Sequence, residues 1–156
     1  MLPQEIARRM IDCFDRGGKI LICGNGGSAA ETQHFAAELV GHFEKERIPL
    51  PAISLTTDTS IITAIGNDDG YDAIFGRQVY ALGKRGDLLI TLTTSGKSAN
   101  ILVAEKVALE KEMDIVRFPI KEEMESTAKC QERHLVLIHD ICGLIDTHYA
   151  HDTHAI

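Results

Sequence analysis

Positive charge is in short supply. The sequence sets 16 lysines and arginines against 23 aspartates and glutamates, a formal net charge of −7 over 156 residues. No bulk positive field exists to hold a phosphate backbone, which excludes nucleic-acid binding at this level. Paired cysteine motifs are missing too. Cys13, Cys23, Cys130 and Cys142 show no CxxC spacing and each lies in an apolar stretch, the pattern of reduced packing thiols in a cytosolic protein. No segment approaches the roughly 20 apolar residues of a membrane span, and the opening MLPQEIARR lacks the apolar centre of a secretory signal. Internal repeats and low-complexity tracts are absent as well. These absences read as a soluble, cytoplasmic protein with neither membrane nor nucleic acid as partner. What is present is ordinary: 44% hydrophobic and 25% charged residues fit one globular domain and exclude a disordered or fibrous chain. A domain of this size buries about 70% of its unfolded surface and folds without disulfides or a structural metal.

Apolar spacing predicts the elements. Ile6, Met10, Ile11 and Phe14 mark a helix from Pro3 to about Arg16, stopped by Gly17-Gly18. Lys19 to Cys23 reads as a buried strand entering Gly24, and a second helix runs from Ser28 to about Glu46, ahead of Pro49 and Pro51. Strands are expected at Pro51–Leu55, Asp87–Leu92 and Asp114–Ile120. Helical stretches are expected at Ile61–Ile65, interrupted from Gly66 to Gly70, and at Ile74–Leu82, Ser98–Glu112 and Thr127 to about Thr147. Strands separated by helices make parallel βαβ units, so the predicted fold class is α/β: a parallel sheet with helices on both faces, a flavodoxin-like three-layer sandwich.

One geometry occurs twice. Cys23-Gly24-Asn25-Gly26-Gly27-Ser28 follows the first strand and Thr93-Thr94-Ser95-Gly96-Lys97-Ser98 follows the third. Each turn offers backbone N–H groups and hydroxyls at a helix N-terminus, where the macrodipole favours an anion. In an open α/β sheet both turns lie beyond the carboxyl ends of the strands, where ligands bind, so a phosphorylated small molecule is expected. Two familiar motifs are set aside. A P-loop needs glycine where Thr91 stands, and the acid that would bind a dinucleotide ribose is missing, since Asp58 falls too far along the chain. Simple capping by Thr93, Ser95 and Ser98 is the plainer alternative, although one serine would suffice for that.

The ordered set CGNGGS, QHFAAEL from Gln33, AIGND from Ala64, TSGKSAN, and Gln131-Glu132 with His139 resembles sugar isomerase (SIS) domain proteins of the phosphoheptose isomerase type, from about Gly17 to Asp146. The resemblance implies a homotetramer with active sites at subunit interfaces. It also implies conversion of sedoheptulose 7-phosphate to D-glycero-D-manno-heptose 7-phosphate, a precursor of lipopolysaccharide or capsule heptose. Thr93, Thr94, Ser95 and Ser98 would hold the phosphate. Asn25, Gly26, Gly27, Ser28, Asn67, Asp68 and Gln131 would bind the rest of the substrate. Glu38 and His139 would be the acid/base pair, and an optional zinc would be held by His34, Glu38, Gln131 and His139.

The chemistry supports the first assignment more readily than the zinc. Aldose–ketose isomerisation moves one proton between two carbons and another between two oxygens, which calls for a carboxylate and a second acid/base group. Glu38 and His139 supply both. His34 and Glu38 lie one helical turn apart and can share an ion. Gln131 and His139 are separated by roughly 12 Å of helix rise, so both reach one ion only with difficulty unless they come from different subunits. A metal on Glu38 would also lower its basicity. His134, Asp140 and Glu132 read as surface or supporting groups, and the tail from His148 to His154 as a frayed terminus rather than a metal site.

The sequence departs from the family pattern in places. Only Pro3–Arg16 precedes the first strand, where the family carries a further helix. A strand, a Gly-rich loop with a helix, and another strand are expected before the final helix, but Met113–Val116 runs straight into Arg117–Ile120. Either a strand and helix have been deleted, or a disordered loop is absent from the sequence as given and two strand ends have been joined; the second is preferred. Lys97 stands where asparagine is common. The competing function is a non-catalytic regulator of the same fold that binds the replication initiator protein, which the stretch Glu44–Asp58 resembles equally. Such a regulator lacks the acid at Glu38 and the histidine at His139. A sugar-phosphate sensor domain would normally accompany a DNA-binding domain, for which the chain has no room.

Overall fold

The computed structural model describes residues 2–150. Four strands form one parallel sheet in the order β2-β1-β3-β4, with β1 at Ile20–Gly24, β2 at Ala52–Ser54, β3 at Leu88–Leu92 and β4 at Asp114–Arg117. The helices are α1 (Pro3–Asp15), α2 (Gly27–Val40), α3 (Thr59–Asp68), α4 (Ile74–Leu82), α5 (Ala99–Glu110) and α6 (Thr127–Tyr149). Register is set by pairs such as Ile20↔Ala52 and Ile22↔Ile90.

Both central strands are buried along their whole length, as helices on two faces require. Successive side chains alternate between the faces. Ile20, Ile22, Leu88 and Ile90 pack with Met10 of α1, Phe35 and Leu39 of α2, and Ile138, Ile141 and Ile145 of α6. Leu21, Cys23 and Leu89 point the other way, onto Phe75 and Val79 of α4 and Ile101, Ala104 and Ala108 of α5. Thus α1, α2 and α6 form one layer, and α4 and α5 belong to the other.

Several boundaries differ from the sequence reading. Helix α2 ends at Val40 rather than near Glu46, because the Arg47 guanidinium takes its C-terminal carbonyls and turns the chain back. Gly66 does not interrupt α3, which continues to Asp68. Strand β4 stops at Arg117 instead of Ile120. Helix α6 reaches Tyr149, whose buried ring and hydroxyl, donating to Asp15 at 2.7 Å, hold in place a stretch expected to fray. The remaining tail histidines, His151 and His154, lie outside the described residues.

Val116 and Arg117 are consecutive within one strand, paired Ile90↔Val116 and Thr91↔Arg117. The Arg117 fork donates to both oxygens of buried Glu105 at 2.9 and 2.8 Å, and the Thr91 hydroxyl donates to the same carboxylate at 2.9 Å. Among the described residues no further strand follows β4, and no helix is long and apolar enough to cross a membrane.

All four cysteines are free and buried. Burial pushes the Cys13 thiol up to about 11 and the Cys142 thiol up to about 12, and raises Cys23 and Cys130 as well. Thiolate is the reacting form, so a raised pKa removes it at moderate pH. Native protein at roughly pH 8 is expected to leave a colorimetric thiol reagent unreacted. All four cysteines should titrate once the chain is denatured.

Candidate active site

Strands β1 and β3 are neighbours, but their following helices, α2 and α5, lie on opposite faces of the sheet. A crevice opens where such connections diverge. It is a cleft of about 240 Å³ lined by Asn25, Gly26, Gly27, Ser28, Leu92, Thr93, Thr94, Ser95, Ser98, Thr127 and Gln131. The two turns singled out in the sequence therefore face one cavity. Gly26 and Gly96 make the turns at φ +59° and +67°, a left-handed backbone that a side chain would strain.

Asp58 caps α3 by accepting from the Ile61 amide, and Ser126 caps α6 by accepting from the Lys129 amide. Three helix N-termini reach the cleft: α6, which enters at Thr127 behind its Ser126 cap, and α2 and α5, which start from Gly26 and Ser98 without a side-chain cap bond. The plainer reading, in which Ser98 caps its helix, does not hold. Unpaired N–H groups and a free hydroxyl point to an anion. Thr93 and Ser95 steady their own turn by accepting from the Gly96 and Lys97 amides at 3.2 Å. Asn25 exchanges two hydrogen bonds with buried Asn100, at 2.9 and 2.8 Å, and accepts from the Tyr71 hydroxyl at 3.0 Å.

A polar seam leaves the cleft between α2 and α6. At the cleft end Gly27 lies against Gln131, where a Cβ would meet the Gln131 amide nitrogen at 2.4 Å. Further along, His34 Nε2 stands 3.0 Å from His139 Nε2, and His34 Nδ1 stands 3.5 Å from the Glu38 carboxylate. Assigning the protons by this network, His34 offers its Nδ1–H to Glu38 and accepts at Nε2 from His139. Glu38 and His139 are thus brought to the same side of the molecule through one imidazole. The Glu38 carboxylate, together with that of Asp146, adds to the burial that raises the neighbouring Cys142 thiol.

Other expected residues fall elsewhere. Asn67 and Asp68 are exposed at the end of α3, hydrogen-bonded to each other at 2.7 Å, and outside this cleft within one chain. His134, expected as a surface or a supporting group, is wholly buried. Its Nε2 donates to the Pro119 carbonyl at 2.7 Å, while its Nδ1 faces a Glu31 oxygen at 3.7 Å and both of those atoms lack a hydrogen-bond partner. Thr127, Asn100 and Glu31 were missed by the sequence reading. Thr127 carried a signal, since it opens the helix that contains Gln131.

The expected zinc ligands do not converge. His139 meets one nitrogen of His34 and Glu38 meets the other, on opposite edges of the ring, while Gln131 lies back at Gly27. Among the described residues no group of three or more histidine, cysteine or carboxylate side chains is placed to hold a metal. As arranged in one chain, the four residues do not fit a tetrahedral site.

The family model described as the SIS domain matches residues 4–118. The phosphoheptose isomerase of Neisseria gonorrhoeae is 46% identical over 92% of this chain and 81% of its own length. That of Shewanella sediminis is 48% identical over 93% and 84%. This chain belongs to the phosphoheptose isomerase family. Solved structures of family members agree: that from N. gonorrhoeae superposes with a TM-score of 0.84 at 43% identity, and that from Francisella tularensis with 0.87 at 39%, each over 93% of this chain and 85% of the other. The Neisseria alignment runs over 160 residues, more than the 156 of this chain, so that phosphoheptose isomerase carries residues within the match that have no counterpart here.

Two outcomes follow for this family member. Gly27→Ala should keep or slightly raise thermal stability, since alanine suits a helix better than glycine. It should displace the flexible Gln131 amide and weaken binding of a small sugar phosphate roughly tenfold by calorimetric titration. Any zinc affinity, measured by chelator competition, is expected to fall about tenfold or more in His34→Ala and His139→Ala and to change less than roughly threefold in Gln131→Ala.

Proposed function

We propose that the protein is an aldose–ketose isomerase that converts sedoheptulose 7-phosphate to D-glycero-D-manno-heptose 7-phosphate for heptose precursor synthesis. One observation carries this reading: the cleft between the two turns and the Glu38–His34–His139 cluster lie on the same helix seam at a separation that fits the substrate. From Gly27 to His34 helix α2 rises roughly 10 Å, and from Gln131 to His139 helix α6 rises roughly 12 Å. An extended seven-carbon ketose with a terminal phosphate has comparable reach. Its phosphate would take the N–H groups and hydroxyls of the two turns while carbons 1 and 2 lie beside the carboxylate and imidazole. The similarity to phosphoheptose isomerases over most of the chain supports the same substrate.

In this mechanism Glu38 removes a proton from carbon 1 of the open-chain ketose while His139 protonates the carbonyl oxygen on carbon 2, giving an enediol. Glu38 then returns its proton to carbon 2. The hydroxyl on carbon 1 gives its proton to the imidazole as the aldehyde forms, so both groups end as they began. His34, hydrogen-bonded to His139 and 3.5 Å from the Glu38 carboxylate, orients them. No step requires a metal.

A homotetramer with sites shared between subunits is part of the proposal. What supports it is the exposure of Asn67 and Asp68 outside the cleft of their own chain; a neighbouring copy is the route by which they would meet a sugar. The regulator alternative is disfavoured by the presence of Glu38 and His139 and by similarity to isomerases.

The test is incubation with sedoheptulose 7-phosphate and product analysis, with Glu38→Gln alongside. The substitution should leave sugar-phosphate binding within roughly threefold while lowering kcat by about 10²–10⁴. Turnover at the wild-type rate in Glu38→Gln would remove Glu38 from the mechanism.

A further inference from the structure

At the opposite end of α2 from the cleft lies an ion pair that the reaction does not use. Arg47 and Asp146 have side-chain exposures of 0% and 1%. Arg47 Nε donates to Asp146 Oδ1 at 2.9 Å. Its Nη1 donates to the carbonyls of Leu39, Gly41 and Ile48 at 2.9, 3.0 and 2.8 Å, and its Nη2 to the carbonyl of Glu38 itself at 2.6 Å. The other Asp146 oxygen accepts the backbone N–H groups of Glu44 and Lys45 at 2.7 and 2.9 Å. One guanidinium and one carboxylate therefore tie together the last turn of α2, the loop after it, and α6. In that loop the Phe43 ring stacks on His139, centroids 5.1 Å apart and planes 16° from parallel.

A buried ion pair adds little net stability over apolar residues of the same volume, so what this one supplies is geometry. We propose that Arg47, Asp146 and Phe43 are positioning residues that hold the Glu38 carboxylate and the His139 imidazole in register with each other. The inference rests on the isomerase reading. Arg47 fixes the backbone from which Glu38 projects. Asp146 locks that backbone to the helix bearing His139 and sets the loop turn that lays Phe43 against the imidazole. Release of any of the three lets the two acid/base groups drift relative to each other while the anion turns, at the far end of α2, stay in place.

The test uses Arg47→Lys, which keeps the charge and loses the fork; Asp146→Asn; and Phe43→Leu, which keeps an apolar side chain and does not threaten the fold. Each should lower kcat roughly ten- to a hundredfold, the scale of an ångström-sized misplacement, with KM for the sugar phosphate within about twofold of wild type. Phe43→Tyr, which retains the ring, should restore kcat. A second readout is independent of turnover: a nuclear Overhauser contact between the Phe43 and His139 rings, expected in the wild type and lost in Arg47→Lys and Asp146→Asn. Folded variants with wild-type kcat, a rise in KM with kcat unchanged, or ring contacts that survive in both charge variants would each overturn the proposal. A wild-type protein that does not turn over the sugar phosphate would instead sink the isomerase reading, and the ring contact would still decide the positioning claim.

Discussion

Strands β1 and β3 lie side by side and parallel, yet the chain leaves them toward opposite faces of the sheet. That divergence is the constraint on which the site depends. It opens a crevice at the strand ends without any excavation of the core, and it aims two helix N-termini into the same space from different layers. Because Ile20–Leu21–Ile22 and Leu88–Leu89–Ile90 bury alternate side chains in separate cores, neither helix can shift layers without exposing an apolar row. The cleft is therefore a consequence of the same alternation that stabilises the sheet.

An N-cap side chain contributes about 1 kcal/mol; α3 and α6 have one, and α1, α2, α4 and α5 do not. The first amides of α2 and α5 face the cleft. Lys97 is the one cation of either turn and is exposed, so what the turns offer an anion is backbone dipoles and hydroxyls rather than ion pairs, which suits a protein of net charge −7.

The parts of this arrangement that were legible in the sequence are those with local causes. Apolar runs gave β1 and β3, and α4 was bounded correctly because Gly83 ends its stripe. The two turns were legible because their residues must be small and polar. What escaped depended on distant partners. The end of α2 is decided by Arg47 and Asp146, which only the fold brings together. Gly66 reads as a breaker, but nothing in its surroundings asks the helix to end there, and its cost is borne by flanking turns. His134 resembles a surface histidine on a polar stretch, and its burial follows from α6 lying against α2 and the Pro119 segment. The proximity of His34 to His139 needs two helices from opposite ends of the chain.

Helix α2 joins these strands of argument, because its two ends are treated oppositely. Its N-terminus is uncapped and open to the cleft, while its C-terminal carbonyls at Glu38 and Leu39 receive a buried guanidinium. A cation at that end complements the macrodipole and satisfies carbonyls that would otherwise be orphaned in the interior. The open N–H groups of the ligand-facing end are thus matched by satisfied carbonyls at the far one, at the turn that carries Glu38. A helix fixed at its C-terminus and unpaired at its N-terminus can hold a carboxylate steady while its amides wait for an anion. Capping α2 at Gly26 with a side chain would satisfy those amides from within, and the cleft would have fewer N–H groups to offer an anion.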